Sequence, residues 1–151
     1  MSSPEDLLAR RIAEHMLASE GTGPEWGIVI EEARVGYARL RMAVRPNMTN
    51  GHATAHGGIL FALADTAFAY ACNSHNRNAV AASASIVFLA PAKEGDILIA
   101  EANEQAAIGR SGACSVAVSR NDGTPVAHFQ GLSRIVGGPI LTDSDGEDDH
   151  G

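Results

Sequence analysis

Asp65 lies within a run that otherwise reads as a strongly apolar helix, eight residues after the turn His56-Gly57-Gly58. Among Leu60, Phe61, Leu63, Ala64, Ala67 and Phe68 a carboxylate must lose hydration on burial. That costs several kcal/mol unless the group is paired, hydrogen-bonded or put to use. A desolvated carboxylate is also more basic than one in water, which suits a general base or a nucleophile. The two glycines offer the complementary chemistry. At a helix N-terminus the first backbone N–H groups have no intrahelical partner, and the macrodipole adds positive potential. Glycine leaves such amides open to a bulky carbonyl, where they can hold a developing oxyanion. Asn50, in the loop ahead of the turn, is a candidate polar positioning group. Each also has a plainer reading: a tight turn for Gly57-Gly58, a buried aspartate satisfied by a nearby donor, and an ordinary loop asparagine.

The elements that must position these groups can be read along the chain. A helix of sixteen residues follows Ser3, a candidate N-cap, with Pro4 in its first turn and Leu8, Ile12 and Met16 on one stripe. Gly21 and Gly23-Pro24 end it. Strand-like runs at 26–33 and 37–44 are joined by a turn at Gly36, and Pro46 stops the second. After a loop at 47–55 the long helix runs from about His56 to Asn73. Four more strand candidates follow at 80–89, 96–105, 111–120 and 125–136, the last three on short turns as an antiparallel meander. The pattern is α+β: a five- or six-stranded antiparallel sheet curled around one long helix. Along that helix, Gly57 and Asp65 stand about 12 Å apart by helical rise. A base and an oxyanion donor serving one carbonyl must each lie about 3 Å from reacting atoms. Gly57 of one subunit is therefore expected to work with Asp65 of another, two equivalent sites to a dimer.

The chain has 151 residues, 45% hydrophobic but only 5% aromatic, which suits one domain with a core rich in small side chains. Its net charge of −7 is concentrated in the last residues. Setting aside Asp143, Asp145, Glu147, Asp148 and Asp149 leaves 11 basic against 13 acidic residues, so no basic footprint for nucleic acid remains. Residues 1–22 are expected to form a helix packed on the domain, 23–138 the domain itself, and 139–151 a disordered acidic tail. Two cysteines without metal-like spacing suit reduced thiols in the cytoplasm, and no apolar run is long enough to cross a membrane.

The run Asn50-Gly-His-x-x-x-His56-Gly-Gly-x-x-x-x-Leu-Ala-Asp65-Thr-Ala-Phe-Ala-Tyr-Ala-Cys-Asn-Ser74 resembles the helix signature of hotdog-fold thioesterases, and more narrowly the phenylacetic-acid-degradation (PaaI-type) acyl-CoA thioesterases. The likeness continues through Ala81–Pro91, Gly95–Ala100 and Phe129–Gly138, covering about residues 45–138. The resemblance implies hydrolysis of phenylacetyl-CoA or its ring-hydroxylated derivatives, with short or medium aliphatic acyl-CoA as the alternative. It implies Asp65 as the catalytic carboxylate, Gly57 as the oxyanion amide and Asn50 as the group that orients thioester or water. His56 and Gly58 would shape the same end of the site, and Ser83 would help hold the water. The segment Gly109-Arg110-Ser111-Gly112 is similar to the family's nucleotide-side loop, where Arg110 suits a phosphate. Coenzyme A would lie along the interface of a homodimer or homotetramer, with no metal or other cofactor.

Rival readings are open to test. His52 and His56 are four apart, but His52 precedes the helix, and neither a metalloprotease glutamate nor a cysteine ligand set accompanies them. Cys72 near His75 suggests a thiol nucleophile, against which stands an alanine-rich, buried setting. Dehydration of a 3-hydroxyacyl-CoA and non-catalytic sensing of acyl-CoA are the remaining alternatives.

Overall fold

The computed structural model describes residues 2–142. The first helix, α1 (Pro4–Ser19), begins where the sequence places it: Ser3 Oγ accepts a hydrogen bond from Asp6 N at 3.1 Å, with Pro4 in the first turn. Its buried face centres on Ala9, Ile12 and Ala13 and packs on the first strand, where Arg10 also donates to the carbonyls of Ile30 and Glu31. The expected strand from Trp26 starts later. Thr22–Glu25 forms a one-turn helix, α2, before β1 (Val29–Arg34). The reason is local. Trp26 N and Ile28 N bond back to Thr22 O and Gly23 O, and Gly27 takes a positive φ of 71° that turns the chain into the strand.

The remaining elements are β2 (Tyr37–Ala43), α3 (Gly57–Cys72), β3 (Ala79–Phe88), β4 (Ile97–Ile108), β5 (Ser111–Arg120) and β6 (Pro125–Ile135). They build one six-stranded sheet in the order β1-β2-β4-β5-β6-β3, every neighbouring pair antiparallel. β4 to β6 form the expected meander. β4 extends three residues past its expected end because an irregularity between Glu104 and Ala106 lets pairing with β5 resume. β3, which directly follows α3, crosses to the far edge and pairs with β6 alone.

The sheet curls over α3. Leu60, Leu63, Ala64, Ala67, Phe68 and Ala71 meet Leu40, Met42, Leu98, Ala100, Val116, Val118 and Phe129 in one core. Small residues let the layers approach: a Cβ on Gly131 would come within 2.9 Å of the Phe68 ring. The end of α3 is locked to the start of β3 by buried Asn73, whose side chain donates to Ala69 O and Ala79 O and accepts from Ala79 N. Residues 139–142, assigned from sequence to the acidic tail, belong with the domain instead. Asn76 Oδ1 accepts from Ile140 N and Leu141 N, and Leu141 is buried. The remainder of the expected tail, 143–151, lies outside the described residues.

Among the described residues no helix is long and apolar enough to cross a membrane.

Candidate active site

The loop before α3 is built on Asn50. Its Oδ1 accepts from His52 N at 2.9 Å and from Thr54 N and Thr54 Oγ1 at 3.2 Å each, while its backbone N donates to Thr54 O. Three donors on one oxygen fix the orientation of the amide, so Nδ2 is the end left without a partner among the described residues. Ala53 turns the loop with a φ of 61°. The loop closes onto the strand-end segment through Ala55 N to Ala92 O at 2.6 Å, and His56 N donates to Met48 O.

His56 is the N-cap of α3. Its Nδ1 accepts from Gly58 N at 2.8 Å, which seats the ring against the first turn and satisfies one of its amides. Gly57 N–H is left with no acceptor among the described residues. It opens into a cavity of about 390 Å³ lined by Asn50, Thr54, Leu60, Phe88, Leu89 and Pro91 among others. The cavity thus gathers an unpartnered amide at the positive end of a helix, a free carboxamide NH₂ and an apolar wall. That arrangement can bind and polarise a carbonyl carrying an apolar group.

Asp65 does not line this cavity. It is half-buried two turns further along α3, and burial raises its pKa above the ordinary carboxylate value of 3.8. Among the described residues it has neither a hydrogen bond nor a cation, so the structural explanation of a satisfied buried aspartate is not realised in one subunit. Another acid stands nearby. Glu20 accepts from Tyr70 Oη at 2.9 Å and has its second oxygen buried without a partner. Burial raises its pKa first, against the Tyr70 hydrogen bond, and the charge of Asp65 adds to the rise.

Ser83 lies on β3, the strand that follows α3. An irregularity between Ala81 and Ser83 shifts the register of β3 by one residue, so Ser83 pairs with exposed Leu132 while Ala84 pairs with buried Gly131. Ser83 therefore faces away from the α3 of its own subunit. The nucleotide-side loop forms part of a second cavity, about 190 Å³, lined by Cys72, His75, Arg77, Gly109, Ser111, Gly112 and Ser133 among others. Three of the four expected residues are there. Arg110, at the hairpin tip, is exposed and does not line it. This cavity lies at the C-terminal end of α3, roughly 20 Å from Gly57 by helical rise.

The thiol alternative fails on geometry and acidity. Cys72 is buried, its Sγ donates to Ala69 O, and burial first, then the charges of Glu104 and Asp65, push its pKa up to about 12. His75 is engaged by Glu104 at 2.7 Å. His52 and His56 do not join a group of three potential metal ligands among the described residues. Sequence reasoning missed Thr54, Leu60 and the run Phe88–Ala92 as cavity walls. The one signal was Pro91 after a strand; which residues of that strand face the helix depends on the shifted register.

A model of the thioesterase superfamily matches residues 52–127. The chain is 40% identical over 128 residues to the acyl-coenzyme A thioesterase PaaI of Escherichia coli (strain K12), covering 85% of this chain and 91% of that protein. The solved structure of E. coli PaaI, from the phenylacetic acid degradation operon, superposes with a TM-score of 0.88 at 38% identity, over 90% of this chain and 99% of that one. A mutant form of the phenylacetic acid degradation protein PaaI from Thermus thermophilus gives a TM-score of 0.74 at 32% identity, over 78% of this chain and all of that one.

Proposed function

The chain belongs to the thioesterase superfamily as an acyl-CoA thioesterase of the PaaI type, and from that premise we propose that it hydrolyses phenylacetyl-CoA or a ring-hydroxylated phenylacetyl-CoA to the free acid and coenzyme A. The observation that carries this reading is the cavity in which the unpartnered Gly57 amide and the Asn50 carboxamide meet an apolar wall. Gly57 N–H polarises the thioester carbonyl and Asn50 Nδ2 orients the ester. Asp65 of the partner subunit completes the site. It either takes a proton from water as the water adds to the carbonyl carbon, or adds itself to give a mixed anhydride that water cleaves. In both routes the C–S bond breaks and the coenzyme A thiolate takes up the proton that water loses.

The two-subunit arrangement answers the helix geometry. It also covers the β3 edge, where Val80 and Val87 are each half or more exposed. In a homodimer or homotetramer the second cavity of one subunit adjoins the first of another, giving coenzyme A a continuous path. The scheme needs no metal and no cofactor beyond the substrate's own coenzyme A, no nucleic acid or membrane partner, and a cytoplasmic setting.

Complementation tests it. Neither Gly57→Val nor Asp65→Asn chains should release coenzyme A from phenylacetyl-CoA. Mixed dimers of the two should recover one intact site, about a quarter of wild-type activity for random assembly. If mixing restores nothing, the shared site is wrong. Asp65→Asn with wild-type turnover would remove the carboxylate from the chemistry. In single-turnover hydrolysis in ¹⁸O-water, label in Asp65 would establish the nucleophile, since water adding to the Asp65 side of the anhydride leaves its oxygen there and the base route leaves none.

A further inference from the structure

The apolar wall of the cavity has one aromatic member, and its position is tied to the reacting end of the site. Phe88 closes β3. Its register partner is buried Ala127, so its side chain points to the α3 side of the sheet. There the ring edge lies against Gly57: a Cβ built on Gly57 would meet Phe88 Cζ at 3.0 Å and Cε1 at 3.4 Å. The rest of the ring is open, for Phe88 is 56% exposed and lines the cavity beside Leu60 and Leu89. A carbonyl bound to Gly57 N–H therefore puts the first carbons attached to it within reach of an aromatic face. Among the described residues no other aromatic side chain lines the cavity.

We propose that Phe88 is the residue by which the site selects its acyl group, presenting a ring face to an aryl acyl group held at the Gly57 amide. The inference rests on reading this cavity as the thioester site. A flat, polarisable wall distinguishes an aryl group from an alkyl group of similar bulk, because paired rings gain from offset or edge-to-face contact beyond the area they bury. Leucine at this position keeps an apolar wall of similar reach and removes only the ring. Phe88→Leu thus separates ring recognition from simple burial, and it spares the edge strand the cavity that Phe88→Ala would leave.

The experiment compares kcat/KM for phenylacetyl-CoA and hexanoyl-CoA in the wild type, Phe88→Leu and Phe88→Ala, with thermal unfolding recorded for each protein. The proposal expects Phe88→Leu to lose roughly two- to tenfold in the phenylacetyl-to-hexanoyl ratio, the span of one aromatic pair. Phe88→Ala should lower the ratio at least as far. Equal losses on both substrates, or an unchanged ratio in both variants, overturn the proposal alone and assign the ring to the pantetheine arm or to packing. A wild type that hydrolyses neither ester overturns the reading of the cavity and this proposal with it.

Discussion

Replacing Gly57 with alanine should separate stability from activity. Gly57 is the first residue of α3 and does not adopt a positive φ, so the helix backbone accepts alanine there without strain. A Gly→Ala exchange inside a helix stabilises by about 1 kcal/mol, and less in the first turn. Against this, the new methyl would stand 3.0 Å from Phe88 Cζ and 3.6 Å from Cε2, so the ring must move a few tenths of an ångström. A ring that is more than half exposed can do so at little cost. The expected net change in unfolding free energy is within about 1 kcal/mol of zero. Activity should behave otherwise. The amide remains, but the methyl and the displaced ring occupy the approach of the carbonyl. Where the methyl keeps the carbonyl from reaching the amide, the effect approaches the loss of one aimed oxyanion donor, roughly 100- to 1000-fold in kcat, or about 2.7–4 kcal/mol of transition-state stabilisation. Denaturant unfolding and a thiol-release assay measure the two quantities on one preparation. Adding Phe88→Leu to Gly57→Ala asks where the methyl acts: recovery in the double variant places the obstruction at the ring. Wild-type kcat/KM in a well-folded Gly57→Ala protein would refute the claim that the carbonyl approaches past the Gly57 α-carbon, and destabilisation beyond about 2 kcal/mol would refute the claim that the ring yields.

Three further outcomes follow from the same geometry. Asp65→Asn should abolish turnover yet stabilise the chain at neutral pH. The pKa of Asp65 is raised, so the folded chain holds that proton more tightly than the unfolded one, and its ionisation weakens the fold as pH climbs from about 3.8 through the raised value; the variant's advantage should fade on acidification over that window, as pH-dependent thermal melts would record. Asn50→Asp keeps the oxygen that accepts from His52 N and Thr54 but replaces the free NH₂ with a second acceptor, so it should fold with near wild-type stability and lose kcat/KM by about tenfold or more, whereas Asn50→Ala should also lose about 1–3 kcal/mol of stability by orphaning the loop donors. Cys72, with a thiol pKa pushed up to about 12, should resist iodoacetamide at pH 8 under native conditions, and treated enzyme should keep its activity; rapid modification with matching loss would contradict its burial.

Much of this was legible in the sequence because it is written in local chemistry. Ser3 and Pro4 mark the start of α1, the glycines after His56 mark the start of α3, and Asn121-Asp122-Gly123 marks the last hairpin. The helical rise between Gly57 and Asp65 needs only the register of one helix, and it already argued that one chain cannot serve one carbonyl with both. What was not legible depends on pairing between distant strands. Ser83 and Phe88 sit on one strand, and which of them faces α3 is decided by a one-residue shift against β6, nearly fifty residues later. Alternation within Ala79–Phe88 cannot reveal that shift, since small residues occupy both faces. The tail boundary failed for a similar reason: Asn76, in an ordinary loop, captures Ile140 and Leu141 across more than sixty positions.

That distant pairing also governs how the chain is made. β3 is ten residues without a charge or a proline, and its neighbour in the sheet is the last strand synthesised. From Phe88 to Ile135 a ribosome adds 47 residues, roughly 2 to 9 seconds of synthesis during which β3 has no native neighbour on either side. An unpaired apolar strand templates any extended chain it meets. The step that brings Phe88 over Gly57 is thus also the one at which a nascent chain is most exposed to aggregation, and slowing translation between β3 and β6 should cost soluble yield more than slowing it anywhere earlier.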